Sequence, residues 1–416
     1  MNGRVIPFVL LILTAALAAQ TPKPVTVPIT LDHNRTIIDV YLPLPDGQTK
    51  RVRAWVDNGN PEMLITQGLA TKLGLVSSSE QAPGSDKNET AVLPPASLQI
   101  GGMTIWFAGV KEAKSLARDT VAPGCSAEIT IPSTVLRNYD VLFDFANRQF
   151  TIGPPRTIPF KGTNTKVLLN DQNGLIQVPS KIAGQDLNLA LDVGASVSLI
   201  SADQLAQWQK SNPSWPTMTG GVAAANMWGG DEETHWQVTR IPSLQFGAAT
   251  LTNVATAAFP ANEMKWFQNR AGVPTMGLIG ANALVADRVG IDYANSTIYL
   301  ERVNAASAPD MDVVGLMLRP EPDGRYTILG AADYEGKPSV PDVKAGDVLL
   351  GVDGAPATGA TMGQVWSLLG GSPGQTRTLT LEREGKRLSV DATVRRFLPA
   401  SQPPAKTPRK NPHQRN

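Results

Sequence analysis

The chain is poor in cysteine, histidine and net charge, and each shortage removes a class of function. Cys125 is the single cysteine among 416 residues, so no internal disulfide can form and stability must come from packing. Its setting, Ala122-Pro123-Gly124-Cys125-Ser126, offers no neighbouring histidine, which points to a small packed side chain and not to a catalytic thiol. The three histidines, His33, His235 and His413, are scattered, so a Ser-His-Asp hydrolase has little support. Gly229-Gly230-Asp231-Glu232-Glu233-Thr234-His235 has acids but one histidine and no helical histidine spacing. It reads as a solvated loop or a hairpin tip, and no metal or cofactor is expected. Trp215, Trp228 and Trp236 nearby read as cleft lining or hairpin packing. A formal charge of +1 gives no basic footprint, so no nucleic-acid partner is expected.

Long apolar runs are also missing. Val5 to Leu13 is apolar, follows Arg4 and precedes Ala16-Leu17-Ala18, the order of a secretory signal peptide over residues 1–19. It is too short for an ordinary transmembrane span, and no cysteine follows it for lipid attachment. The expectation is an exported protein, periplasmic or extracellular, with no stable membrane span once the leader is removed. From Pro399 to the end, residues 399–416, Pro, Lys and Arg predominate and predict a disordered tail.

What the chain has in plenty is glycine (37) and proline (33), set among alternating Val, Thr and Leu. That pattern predicts many short strands joined by turns, and the length allows two or three domains. Val25 to Leu42 reads as a hairpin turning at Asp32-His33-Asn34, and Thr66 to Leu73 as a short helix ended by Gly74. Ser201 is a good N-cap for a helix Ala202 to Trp208.

Two stretches say nearly the same thing. Ala54-Trp55-Val56-Asp57-Asn58-Gly59 and Leu189-Ala190-Leu191-Asp192-Val193-Gly194 are each an apolar strand running into Asp-x-Gly. An acid at that position costs desolvation unless something uses it. Each half then closes on a similar segment, Val141 to Ile152 and Val289 to Leu300, with an Asp-aromatic-Ala-Asn core. The aspartates are offset by 135 (57 to 192) and the closing segments by 148 (144 to 292). An internal duplication with an insertion near Trp215 to His235 accounts for both. One acid per repeat predicts a carboxylate pair across a pseudo-twofold axis.

Residues 24–302 resemble the retropepsin-like aspartic proteases. The resemblance rests on Asp192-Val193-Gly194-Ala195-Ser196, on Ser198-Leu199-Ile200 with its helix, and on Gly277-Leu278-Ile279-Gly280. It implies a mainly β fold of two lobes, 24–155 and 160–303, with Asp57 and Asp192 as a dyad sharing one proton. In the family a Thr or Ser hydroxyl after each aspartate bonds across to the other lobe. Asn58 and Val193 stand there in this chain. Asn58 can donate and accept, whereas Val193 can do neither. Gly59 and Gly194 would supply the tight backbone beneath the pair, and Ser196 matches a hydroxyl that supports one aspartate. Pro61 replaces its counterpart, and Ile129-Thr130-Ile131-Pro132 stands where the second lobe has Gly277 to Gly280.

Residues 311–398 resemble a bacterial PDZ domain, an α+β unit. Ala345-Gly346-Asp347-Val348-Leu349-Leu350-Gly351-Val352-Asp353-Gly354 carries the likeness, followed by a predicted helix Thr361 to Leu369 and strands Arg377 to Arg383 and Lys386 to Val394. The resemblance implies capture of a peptide or protein C-terminus at Gly315, Leu316 and Met317 by strand addition. The resulting expectation is an exported aspartic-type endopeptidase acting on polypeptides without a metal or cofactor. Its rival is a degenerate pseudoprotease that binds peptides through the PDZ domain.

Overall fold

The computed structural model describes residues 23–77, 89–220, 234–272, 274–303 and 311–400. The expected leader, nearly all of the polar 77–89 stretch, the 221–233 part of the expected insertion with Trp228, and the tail beyond 400 lie outside them. The described chain is mainly β, with four large sheets and few helices. Among the described residues no helix is long and apolar enough to cross a membrane.

A six-stranded antiparallel sheet joins the two halves. Its order is Val25–Pro28, Gln149–Gly153, Asp140–Asp144, Asp287–Asp292, Thr297–Arg302 and Thr163–Lys166, three strands from each half. The central pair has Asp140 opposite Asp292, Leu142 opposite Gly290 and Asp144 opposite Arg288. An offset of 148 carries 140 to 288 and 144 to 292, so the register is self-consistent about a pseudo-twofold axis at Leu142 and Gly290. The turns repeat too. Asp144 accepts the backbone and side-chain N–H of Asn147 at 3.0 and 2.9 Å, and Asp292 accepts those of Asn295 at 3.0 and 2.8 Å. Asx-type bonds of this kind explain why both segments carry Asp and Asn three residues apart.

Each half adds a sheet of its own with matched pairing. In the first, Ile129–Pro132 runs parallel to Thr49–Asp57 and antiparallel to Met63–Thr66. In the second, Gly277–Gly280 runs parallel to Gln185–Asp192 and antiparallel to Ser198–Ser201. Pro132 faces Asp57 and Gly280 faces Asp192 in register. The parallel partners Ala113–Leu116 and Thr256 to Phe259 also correspond, but at an offset of 143. The insertion is therefore split. Eight residues enter before Thr256, and five more enter between Phe259 and Gly277, where the second half has the helix Ala261–Ala271. One apolar core runs through both halves and the joining sheet, including Val56, Phe143, Val178, Leu191 and Val289.

The C-terminal unit is α+β with a core of its own. Five strands lie in the order Leu316–Pro320, Tyr326–Ala331, Val348–Val352, Thr376–Arg383 and Lys386–Thr393. The helix Met362–Leu369 starts on a capping box formed by Thr361 and Gln364. By contrast Ser201, though at the N-cap of the helix Ala202–Ser211, makes no side-chain cap bond.

Candidate active site

Asp57 and Asp192 end equivalent strands. Residues Trp55 to Asp57 are buried on both faces of the first strand, and Leu189 to Asp192 on both faces of the second. The strands therefore deliver their acids into the interior. The turns that follow bring them together. A Cβ built on Gly59 would fall on the Asp192 carboxylate, and one built on Gly194 would fall on that of Asp57. Each half thus contributes an acid and the glycine that makes room for the other acid, and any larger residue would separate the pair.

Asn58 ties the two halves at this point. Its amide donates to Leu191 O at 2.8 Å and its carbonyl accepts from Val193 N at 2.7 Å. Asn58 is fully buried, so both bonds are shielded from water. The Val193 side chain makes no bond in return and packs in the shared apolar core. Ser196 is buried, but its hydroxyl has no hydrogen-bond partner, so the direct support expected for Asp192 is not made.

Backbone N–H groups of the following turn act on both carboxyls, those of Gly59 and Asn60 on Asp57 and those of Gly194 and Ala195 on Asp192. Asp192 Oδ1 accepts the backbone N–H of Gly194 at 3.0 Å and of Ala195 at 2.9 Å. Asp57 Oδ1 accepts that of Gly59 at 3.1 Å. Burial pushes both groups up. Asp192 is raised to about 6, held there by its two N–H donors. Asp57 is raised well above the usual carboxylate range by burial and by the charge of Asp192. Both carboxyls are pushed up and Asp192 adds to the shift of Asp57, so the pair holds one proton between its two carboxyls when singly ionised.

A cavity of about 200 Å³ opens on the dyad. Trp55, Leu64, Val121, Phe259, Phe267 and Leu278 give it apolar walls. Trp266 and Arg270 also line it, with the guanidinium 3.9 Å from the indole centroid. Arg270 also reaches Glu62 Oε1 at 2.7 Å, tying the second half's helix to the first half. These residues were not legible as site residues. The available signal was local: Met264, Phe267 and Ala271 recur at helical spacing between Pro260 and Gly272. Trp215 and Trp236 line no part of this cavity and pack in apolar clusters instead.

Gly315, Leu316 and Met317 stand in and just before the edge strand of the C-terminal unit, and all three are buried. Gly315 O accepts Ala332 N at 2.8 Å, and Val314 N donates to Leu369 O at 3.0 Å. Met317 packs in a cluster with Met218 and Trp236 of the second half. Leu316 belongs to the C-terminal unit's own core, and Met317 is the one of the three that packs against the second half. Cys125 is buried, and burial pushes its thiol up, as an inert packed side chain requires. No protein-family model matches the chain, and no curated protein matches it.

Proposed function

We propose that this chain is an exported aspartic-type endopeptidase of two retropepsin-like lobes with a C-terminal PDZ domain. The observation that carries the reading is the cross-packing of Asp57 against Gly194 and Asp192 against Gly59 at a buried, one-proton carboxylate pair. Two turn acids with structural roles would have no reason to be driven together against their mutual repulsion.

In the mechanism, charged Asp192 takes a proton from a water as it attacks the scissile carbonyl. Protonated Asp57 donates to the carbonyl oxygen, and the roles reverse as the amine leaves. The substrate is an extended polypeptide with an apolar side chain in the cavity beside Trp55 and Phe267. A binding-only reading is favoured by one feature, the unbonded Ser196 hydroxyl beside Asp192.

The deciding experiment incubates the mature chain, from Gln20, with an unfolded protein between pH 3 and 8, beside an Asp192→Asn variant of similar shape. Cleavage by the parent and not by the variant is expected. Equal cleavage by both would remove the dyad from the mechanism, and none by either would favour the binding reading.

A further inference from the structure

The C-terminal unit meets the first half at one buried polar junction. Asp32 lies at the tip of a hairpin whose turn residues, His33 and Asn34, both have positive φ (50° and 65°). Asp32 Oδ1 accepts the backbone N–H of Gly363, in the first turn of the helix Met362–Leu369, at 2.8 Å. The neighbouring Met362 N donates to Gly124 O at 2.8 Å. The His33 and Trp366 rings pack with centroids 5.2 Å apart. A Cβ on Gly363 would fall on the His33 backbone nitrogen and the Asp32 carboxylate, so glycine is what lets the surfaces meet.

Arg35 lies on the inner side of this junction and is fully buried. Its guanidinium donates to Asp32 O at 3.3 Å and to Pro123 O and Gly124 O at 3.4 Å each. It also lies 5.7 Å from the centroid of Trp55. Trp55, Val121, Ala122 and Pro123 line the dyad cavity, and Trp55 stands two residues before Asp57. A buried guanidinium is tolerated only where acceptors hold it. Its acceptors here come from the hairpin and from the cavity wall, so moving one displaces the other.

We propose that Arg35 is a positioning residue for the dyad cavity, and that the C-terminal unit sets its position through the Gly363–Asp32 bond. The contact runs from helix terminus to carboxylate, hairpin, guanidinium and wall without a gap. A cavity of about 200 Å³ has little tolerance for a moved wall. The consequence for cleavage rests on the protease reading, whereas the holding of the wall does not.

Cys125 is the test probe, being the only cysteine and packed with Trp55, Val121 and Ala122. The full chain is labelled with a thiol-reactive disulfide reagent beside Gly363→Leu, which wedges the junction, and Asp32→Asn, which removes the charge at nearly constant shape. Gly363→Leu should label faster by roughly ten- to a hundredfold, the effect of losing the bond on local opening, and Asp32→Asn, whose amide oxygen still accepts but without charge, faster by a smaller factor. Their far-UV circular dichroism should match the parent's. Arg35→Lys, which keeps the charge but not the fork, should label faster in the same way. In cleavage the variants should raise KM more than they lower kcat. Labelling at the parent's rate in folded Gly363→Leu or Asp32→Asn would overturn the proposal. Because labelling needs no catalysis, it decides the matter even where the parent cleaves nothing.

Discussion

At the residue scale, the proposed chemistry depends on three side chains and two absent ones. Asp57 and Asp192 were legible because an acid after an apolar strand is rare without a use. The glycines were legible as turn formers, yet their main role is to vacate space for the opposite carboxylate. Asn58 makes both side-chain bonds across the halves at this point, one to the Asp192 strand and one to the residue just after it. Asn58→Ala would leave Leu191 O and Val193 N buried without partners. It should cost roughly 2–4 kcal/mol in denaturant unfolding, from two such groups at the usual penalty. It should also lower kcat with the two halves still folded. A loss under 1 kcal/mol would mean that the cross-tie is not made in solution.

At the element scale, the strand pairs carry the pseudo-symmetry. The closing segments were recognisable because each repeats Asp-aromatic-Ala-Asn, and the register bears this out about Leu142 and Gly290. The helix Ala261–Ala271 was not foreseen, and five of the inserted residues lie in its region. Its five apolar residues are interrupted by six polar or charged ones, and only Met264, Phe267 and Ala271 are buried, so periodicity alone was weak. At the axis, a Cβ on Gly290 would fall on the Phe160 ring, which stacks on Tyr299 at 5.0 Å. Gly290→Ala should therefore cost about 1–3 kcal/mol as overpacking. Adding Phe160→Ala should return part of that cost, with a coupling of at least ~1 kcal/mol in a double-mutant cycle. Strict additivity would contradict the contact.

At the scale of the whole molecule, one apolar core spans both halves, so the dyad is as rigid as the fold. Raised carboxyl values link it to pH. Asp192 titrates near 3.9 when unfolded and at about 6 when folded, so the folded chain binds more protons between these values. Stability from this group is full below about pH 4 and is lost as pH rises through about 6. Asp57, also raised, acts in the same direction. Asp192→Asn should flatten the fall in melting temperature between pH 4 and 6; an unchanged slope would place its origin elsewhere. Activity has a different dependence. On the proposed mechanism the active form is the singly protonated pair, so kcat/KM should rise with pH as the pair loses its first proton and fall as it loses the second. A maximum near pH 3 would contradict the raised carboxyl values.

Sequence alone determined the duplication, the strand-ended aspartates and the mainly β architecture, because apolar periodicity and turn chemistry are local and repeat in each half. Tertiary structure alone decided which groups meet across the repeat. It set Asn58 against the Asp192 strand, left the Ser196 hydroxyl unbonded, built the cavity from Trp55, Phe267 and Arg270, and buried Gly315 to Met317. Contacts between segments distant in the chain depend on how sheets stack and where insertions fall, and those have no short-range pattern to read.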